Sequence, residues 1–482
     1  MNREGRLILV SNRLPVTVAR NGSAVEVQPS SGGLVSALLP LLKSSGGCWI
    51  GWPGADRDAS IESALRDESR GEFQLEPVFL SQSEKQCFYD GCCNEILWPL
   101  FHDLQSRCNF DPMYWSSYLE VNETFADAVE RIAGRSDFVW VHDYHLMLLA
   151  DCLRSRGVRA RMAYFHHIPF PPPDVFEKLP WRAEILRGLL RFSALAFQTD
   201  RDRRNFFACL RRCLRAVQIK KIGGGKFLVS AEGRYTEAGT FPISIDYERL
   251  ARESRSAEVL AEAAQIHCDF SDRKLILGID RLDYTKGIPE RLIAFRTLLE
   301  QRPELRGQVA LLQVTVPSRE QIPKYQECKI AVERLVSEIN GEFGGSGWSP
   351  VTYIHRSVPY NRLLALYRAA HVALVTPLKD GMNLVAKEFC AARTDEQGAL
   401  VLSEFAGSAV ELNTGALLVN PYDFEGVAAA LYEALCMTEI NQRSRMQAMR
   451  RTIQANDVYR WCRNCCGQTL LRHEFQVAAQ SA

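Results

Sequence analysis

VTPLKDGMNLVAKEF, residues 375–389, decides how the rest of the chain is read. It continues the apolar run HVALV (371–375), which reads as a buried strand, passes a Pro and a Gly-containing turn, and carries helix formers from Asn383 onward. The pattern is strand, loop, helix start. A helix beginning at Asn383 and Leu384 turns its first N–H groups and the positive end of its dipole toward the loop, the usual seat for a phosphate or diphosphate. Asp380 and Glu388 repel phosphate but suit sugar hydroxyls. Phosphate held by backbone and sugar held by carboxylates describe a nucleotide-sugar cradle. On this stretch alone, an ordinary strand–loop–helix connection with solvated Lys379 and Asp380 is the alternative.

Outward from this stretch the same rhythm repeats. Strands are expected at Leu275–Ile279, Val309–Val314, Val351–Ile354, Leu400–Leu402 and Leu417–Val419, with helices between them, which implies a parallel sheet covered on both faces. The N-terminal half repeats it with strands at Leu7–Val10, Phe138–Val141, Met162–Phe165 and Ala194–Gln198. The first strand is expected to break at Ser11-Asn12-Arg13, and SSGGLVSALLPLL (30–42) to open a helix at Gly32-Gly33. At 482 residues the chain exceeds one typical core. The expected fold class is therefore α/β, with two Rossmann-like domains facing across a cleft. Residues 1–245 form the first, 246–456 the second, and a helical tail, 457–482, packs back on the first; FPISIDYERL (241–250) is the crossing. KIGGGKF (221–227) lacks the spacing and the Ser or Thr of a phosphate loop and reads as a hairpin turn.

A net charge of +1, from 58 Lys plus Arg against 57 Asp plus Glu, gives no argument for nucleic acid or an acidic membrane surface as partner. Any basic site must be local. The 15 cysteines are scattered and read as reduced thiols, so the expected location is cytoplasmic. No run is apolar for 18 residues, so no membrane span is expected. A homo-oligomer is left open.

Polar residues at the carboxyl ends of parallel strands line the crevice where such sheets bind ligands. His142-Asp143-Tyr144-His145 and His166-His167 stand at two such ends. Zinc is the alternative for the histidines, but their spacing fits no structural zinc pattern, and no metal or cofactor is expected. The helix DRDRRNFFACLRR (200–212) reads as a solvated basic face. Arg281 and Lys286 follow another strand end, close enough for both to neutralise a diphosphate leaving group. A structural pairing of Arg281 with Asp280 or Asp283 is the alternative. Arg13 and Arg319, after strands in different halves, can grip a second phosphate. The aromatic clusters WIGWPG (49–54) and YDGCCNEILWPLFH (89–102) read mostly as core.

SNRLP (11–15), SSGGL (30–34), NEILWPLFH (94–102), HDYHLMLL (142–149), HIPFP (167–171), FQTDRDRRNF (197–206), DRLDYTKGIPERL (280–292), VPSRE (316–320), TPLKDGMNLVAKEF (376–389) and SEFAGSAVEL (403–412) together resemble the trehalose-6-phosphate synthases of glycosyltransferase family 20. Any one of these motifs is weak; ten in the same order are specific.

The resemblance implies a B-type glycosyltransferase that moves glucose from a nucleotide diphosphate glucose, UDP-glucose first among them, to glucose 6-phosphate with retention. Carried over, Arg281, Lys286, His167 and Asp143 would act at the reacting centre. Gly33, Arg281, Lys286, Asn383 and Leu384 would hold the donor diphosphate, Glu388 the ribose, and His167 and Asp380 the transferred glucose. Arg13, Tyr89, Trp98 and Arg319 would surround the acceptor phosphate and Asp143 the acceptor hydroxyls. FHHIPFPPPDVFEKLPWR (165–182) also resembles glucosylglycerol-phosphate synthases, which makes glycerol 3-phosphate the alternative acceptor. A non-catalytic sugar-phosphate sensor is the alternative of another class. A dehydrogenase is disfavoured because no G-x-G-x-x-G follows the first strand.

Overall fold

The computed structural model describes residues 5–21, 24–29, 32–69, 73–271 and 273–466, and the chain divides into two compact units. One runs to Ile243 and includes the segment from Tyr459; the other is Ser244–Val458.

The first unit carries β1 (Leu7–Arg13), β2 (Val16–Asn21), β3 (Ala24–Pro29), β4 (Cys48–Trp52), β5 (Gln74–Pro77), β6 (Phe138–His142), β7 (Arg161–His166), β8 (Ala194–Phe197), β9 (Gln218–Gly223), β10 (Lys226–Ala231) and β11 (Arg234–Thr240). Nine of them form one sheet in the order β5-β4-β1-β6-β7-β8-β11-β10-β9, and β2 and β3 pair separately. β5 through β11 in that order run parallel, and β10 and β9 close the edge as an antiparallel hairpin turning at the glycines of KIGGGKF. The central strands β1, β4 and β6 are buried along almost their whole length, as continuous apolar runs covered on both faces must be.

β1 does not break at Ser11. Trp49 Nε1 donates to Ser11 Oγ (2.8 Å) and Ser11 Oγ to the Arg13 carbonyl (2.7 Å), so polar side chains replace apolar packing and pairing continues to Ser11 opposite His142. The register against β4 slips between Val10 and Arg13, a bulge that marks where the strand becomes a site. The helix Asp200–Cys213 is less solvated than its composition suggests. Asp202 turns inward to accept from Phe170 N–H (3.0 Å), and Arg203 lies 4.2 Å over the Phe227 ring. The helix Val458–Cys466 brings Trp461 against Trp140 (5.2 Å) and Phe165 (5.1 Å). The remainder of the expected helical tail, 467–482, and Ser30 and Ser31 of SSGGL, lie outside the described residues.

The second unit carries β12 (Lys274–Arg281), β13 (Val309–Val316), β14 (Val351–His355), β15 (Val372–Val375), β16 (Ala399–Ser403) and β17 (Leu417–Val419), all parallel, in the order β14-β13-β12-β15-β16-β17. Counted along the chain this is 3-2-1-4-5-6, the dinucleotide-fold order, with its switch point between β12 and β15. Without the β2–β3 hairpin, β5-β4-β1-β6-β7-β8 of the first unit follows the same order and switches between β1 and β6. Ligands bind in such sheets beyond the carboxyl ends at the switch point. Each unit thus indicates one crevice before any side chain is considered.

Candidate functional site

At the switch point of the second unit two loops lie against each other. Leu378 N–H donates to the Thr285 carbonyl (2.8 Å), and Gly287 (φ +63°) sits where a Cβ would come within 2.3 Å of the Thr376 carbonyl. Only glycine permits this approach. The loop after β15 is in turn tied to SEFAGS by Gly407 N–H to Asp380 O (3.1 Å) and Ser408 N–H to Met382 O (2.7 Å), which gives that motif its task. The helix Leu384–Ala392 starts where the sequence indicated. Asn383 takes a left-handed conformation (φ +72°) as its cap, with its Oδ1 accepting from Ala386 N–H (3.3 Å) and its Nδ2 donating to Asp380 (3.2 Å). Leu384 and Val385 then present N–H groups that helix geometry leaves without a partner inside the helix.

The cations converge here. Lys286 Nζ contacts Asp380 Oδ2 at 2.6 Å. Asp283 is fully buried, and although burial works to raise its carboxyl pKa, Arg319, Arg281 and Lys286 outweigh it and hold the group below the usual carboxylate range. Arg319 is 3.5 Å from Asp283 and donates to the Tyr325 hydroxyl, which itself donates to Asp283 (3.1 Å). Arg319 therefore shares Asp283 with the expected diphosphate cations of this unit, and Arg13 lies in the other. Asp280 does not serve Arg281: it is bonded to Arg291 at 2.7 Å, with both side chains buried. Lys379, solvated in the plain-connection alternative, is buried as well. Glu388 is half-buried and accepts from the Tyr367 hydroxyl (2.8 Å); desolvation raises its pKa and that bond opposes the rise.

Arg291 was invisible in the sequence as a site residue, yet it joins the whole crevice floor. Its Nη2 reaches Asp280, its Nη1 Gln313 (3.1 Å) and its Nε Thr376 Oγ1 (3.1 Å), so one side chain ties β12, β13 and the loop after β15.

At the switch point of the first unit, Arg13 at the end of β1 lies 4.3 Å over the Trp52 ring and 5.9 Å from that of Tyr89. Gly54 (φ +82°) makes room: a Cβ there would stand 2.0 Å from Arg13 Nη1. Asp143, directly after β6, has φ +74° and ψ 168°, a region nearly reserved for glycine and costing about 1–3 kcal/mol. Its N–H bonds the Phe165 carbonyl (2.8 Å) and its carboxylate accepts from His167 N–H (3.4 Å), so the two residues expected at the reacting centre in this unit are joined directly. Gly33 opens the helix Gly33–Ser45 after an extended Gly32, with no acidic residue in its first turn.

Two of the four histidines pair with each other and the other two have partners of their own. His142 Nδ1 meets His167 Nε2 at 3.0 Å, His166 bonds the Tyr164 hydroxyl (3.0 Å), and His145 stacks between Tyr144 and Tyr89. Gln198 accepts from Ile243 N–H (2.9 Å) and so donates its amide to His167 Nδ1 (3.4 Å), which leaves the His167 proton on Nε2, toward His142. Burial pushes His142 down to about 3 and His166 to about 3, and burial together with those neighbours lowers His167 far below the imidazole range; the pair is neutral. Both ring nitrogens of His167 face protein groups. No group of three or more His, Cys, Asp or Glu side chains that could hold a metal ion occurs among the described residues.

Tyr89 and Trp98 are nine residues apart, which places them on opposite sides of an α-helix of 3.6 residues per turn. Lys85–Leu97 is instead a π-helix. Its hydrogen bonds run from i to i+5, with about 4.4 residues per turn, so nine residues make about two turns and both rings come to one side. They pack there on consecutive residues of one turn, Tyr89 on His145 (6.2 Å) and Trp98 on Tyr144 (5.9 Å).

A family model, glycosyltransferase family 20, matches residues 5–470. The chain is 43% identical over 467 residues to a trehalose-6-phosphate synthase of Mycobacterium marinum, covering 95% of this chain and 92% of the relative. Among solved structures it is similar to an α,α-trehalose-phosphate synthase (UDP-forming) from Burkholderia xenovorans in complex with glucose-6-phosphate, with a TM-score of 0.88 and 35% identity over 96% of this chain and 100% of that one. A trehalose-6-phosphate protein from E. coli bound with UDP-2-fluoro glucose gives a TM-score of 0.87 and 34% identity over 97% of this chain and 99% of that one.

Proposed function

The chain belongs to glycosyltransferase family 20, and from that premise we propose that it is a trehalose-6-phosphate synthase, moving glucose from UDP-glucose to glucose 6-phosphate to give α,α-trehalose 6-phosphate and UDP. The observation that carries the reading is the cluster of Arg281, Lys286 and Arg319 around one buried carboxylate, beside the helix start at Leu384 and at the switch point of a dinucleotide-type sheet.

Arg281, Lys286 and the N–H groups at Leu384 bind the departing diphosphate. Arg319 supports them through Asp283. Asp380 holds glucose hydroxyls and Glu388 the ribose. In the first unit, Arg13 faces the acceptor phosphate with Trp52, Tyr89 and Trp98 around it, and Asp143 takes acceptor hydroxyls beside His167. In the step itself the bond from glucose C1 to the phosphate oxygen breaks and a bond from C1 to the acceptor oxygen forms on the same face. The acceptor proton passes to the leaving phosphate oxygen. Fixed cations stabilise the charge that collects there and do not have to reorganise as it forms.

The test mixes purified protein with UDP-, GDP- or ADP-glucose and either glucose 6-phosphate or glycerol 3-phosphate, and reads products by mass and anomeric NMR. A phosphorylated α,α-linked disaccharide is expected. A glucosylglycerol phosphate would overturn the acceptor assignment and keep the donor site, and no product with any pair would point to a sensing role.

The pairing of Tyr367 with Glu388 makes a separate prediction. The hydroxyl donates to the carboxylate and so favours its charged form, and Tyr367→Phe removes that support and raises the Glu388 pKa further. Ribose binding uses the charged form as acceptor. The KM for UDP-glucose should therefore rise several-fold on the acidic side, with the acid limb of the KM profile displaced to higher pH. An unshifted limb would separate Glu388 from the ribose.

A further inference from the structure

A π-helix of 13 residues is far longer than the single-turn bulges in which that geometry usually occurs, and something must hold it in register. The side chain of Asn94, 1% exposed, is placed to do so. Its Nδ2 donates to the Tyr89 carbonyl at 2.7 Å, and its Oδ1 accepts from the Tyr144 hydroxyl at 3.2 Å. Tyr144 follows Asp143 directly, and its carbonyl accepts from the buried Tyr118 hydroxyl (2.7 Å), which also receives Met147 N–H (3.1 Å). Asn94 thus joins the helix bearing Tyr89 and Trp98 to the turn bearing Asp143.

We infer that Asn94 is a positioning residue for the acceptor: it sets the distance between the aromatic pair and the Asp143 turn and thereby the fit of the phosphosugar between them. This rests on the acceptor reading above. The geometry gives it content beyond buried hydrogen bonding. The bonds of Asn94 run to two of the segments that carry acceptor residues and to none that carries a donor residue. An amide is also the side chain suited to the task, because its N–H can take the second lone pair of Tyr89 O while its oxygen accepts from the Tyr144 hydroxyl. Gly91 keeps the helix seated, since a Cβ there would fall within 2.6 Å of the Tyr114 ring.

The experiment measures KM and kcat for both substrates in the wild type, Asn94→Ala, Tyr144→Phe and the double variant. Asn94→Ala should raise the KM for glucose 6-phosphate about tenfold or more, as displaced binding groups do, and leave the KM for UDP-glucose within twofold. Tyr144→Phe should move the same constant in the same direction, and the double variant should exceed Asn94→Ala by less than the sum of the single effects. A rise shared equally by both substrates would reduce Asn94 to a structural residue, and an unchanged acceptor KM would overturn the inference. If Asn94→Ala does not fold, Tyr144→Phe decides alone by the same split, since it removes one hydroxyl. A wild type that turns over no glucose 6-phosphate sinks the acceptor reading and this inference with it; an active wild type with unaffected variants sinks only the inference.

Discussion

Arg281→Ala should lower kcat/KM about a hundredfold or more, roughly 2.7 kcal/mol of transition-state stabilisation, with little change in the midpoint of unfolding. Arg281 is exposed at the end of β12, and the two carboxylates beside it in sequence have other principal partners. Asp280 is bonded to Arg291, and Asp283 to Thr285, Tyr325 and Arg319. Removal of Arg281 leaves Asp283 with Arg319 and Lys286 as cations, so the buried carboxylate stays compensated and the loss should fall mainly on turnover. Arg281→Lys should restore only part of the rate, because an ammonium offers a point charge where a guanidinium grips two phosphate oxygens. Turnover of Arg281→Ala within a few fold of wild type would show that Lys286 and the Leu384 amides carry the leaving group without it.

The crevice of the second unit was legible because its chemistry sits at strand ends. A strand followed by Asp-Arg or by Thr-Pro leaves its polar residues at one edge of a parallel sheet, and the alternation of strands and helices indicates that the sheet is parallel. Arg281, Lys286, Asp380, Asn383 and Glu388 fall out of that rule. The strand order is a different matter: nothing in the spacing says that β15 returns beside β12, and the contact of the two loops follows only from that order and from Gly287.

What escaped the sequence did so for identifiable reasons. Tyr89 and Trp98 came from the family resemblance, since α-helical spacing separates them and the stretch is buried almost throughout, with no period in its burial to signal the wider helix. Tyr367 lies within a helix that reads as ordinary amphipathic packing, Tyr360–Ala369, and only its contact with Glu388 reveals it. Arg319 was grouped with Arg13 because both follow strands; its contacts with Asp283 and Tyr325, which tie it to the cations of its own unit, were not legible in that spacing. Arg291 stands in PERLIAFR, where a basic residue among helix formers ordinarily points to water.

Arg291→Met should cost about 3–5 kcal/mol, a large part of the 5–15 kcal/mol that holds a typical domain folded. The methionine fills much of the space but leaves Asp280 buried without its partner, and it unpairs Gln313 and Thr376 as well. Burial already raises the Asp280 carboxyl above its usual range, against the pull of Arg291 first and Lys286 next. Without the guanidinium it must rise further. A carboxyl with a raised pKa in the folded state binds its proton more tightly there than in the unfolded chain, so folding gains stability as the pH falls through the interval between the two values. The defect should accordingly be greatest near neutrality and shrink on acidification, and adding Asp280→Asn should recover part of it at pH 7 by removing the stranded charge. Urea unfolding of the wild type, Arg291→Met and the double variant at neutral and mildly acidic pH reads all three effects. A loss below about 1 kcal/mol, or one equal at both pH values, would mean that water reaches Asp280 and that the floor of the crevice is not held by this pair.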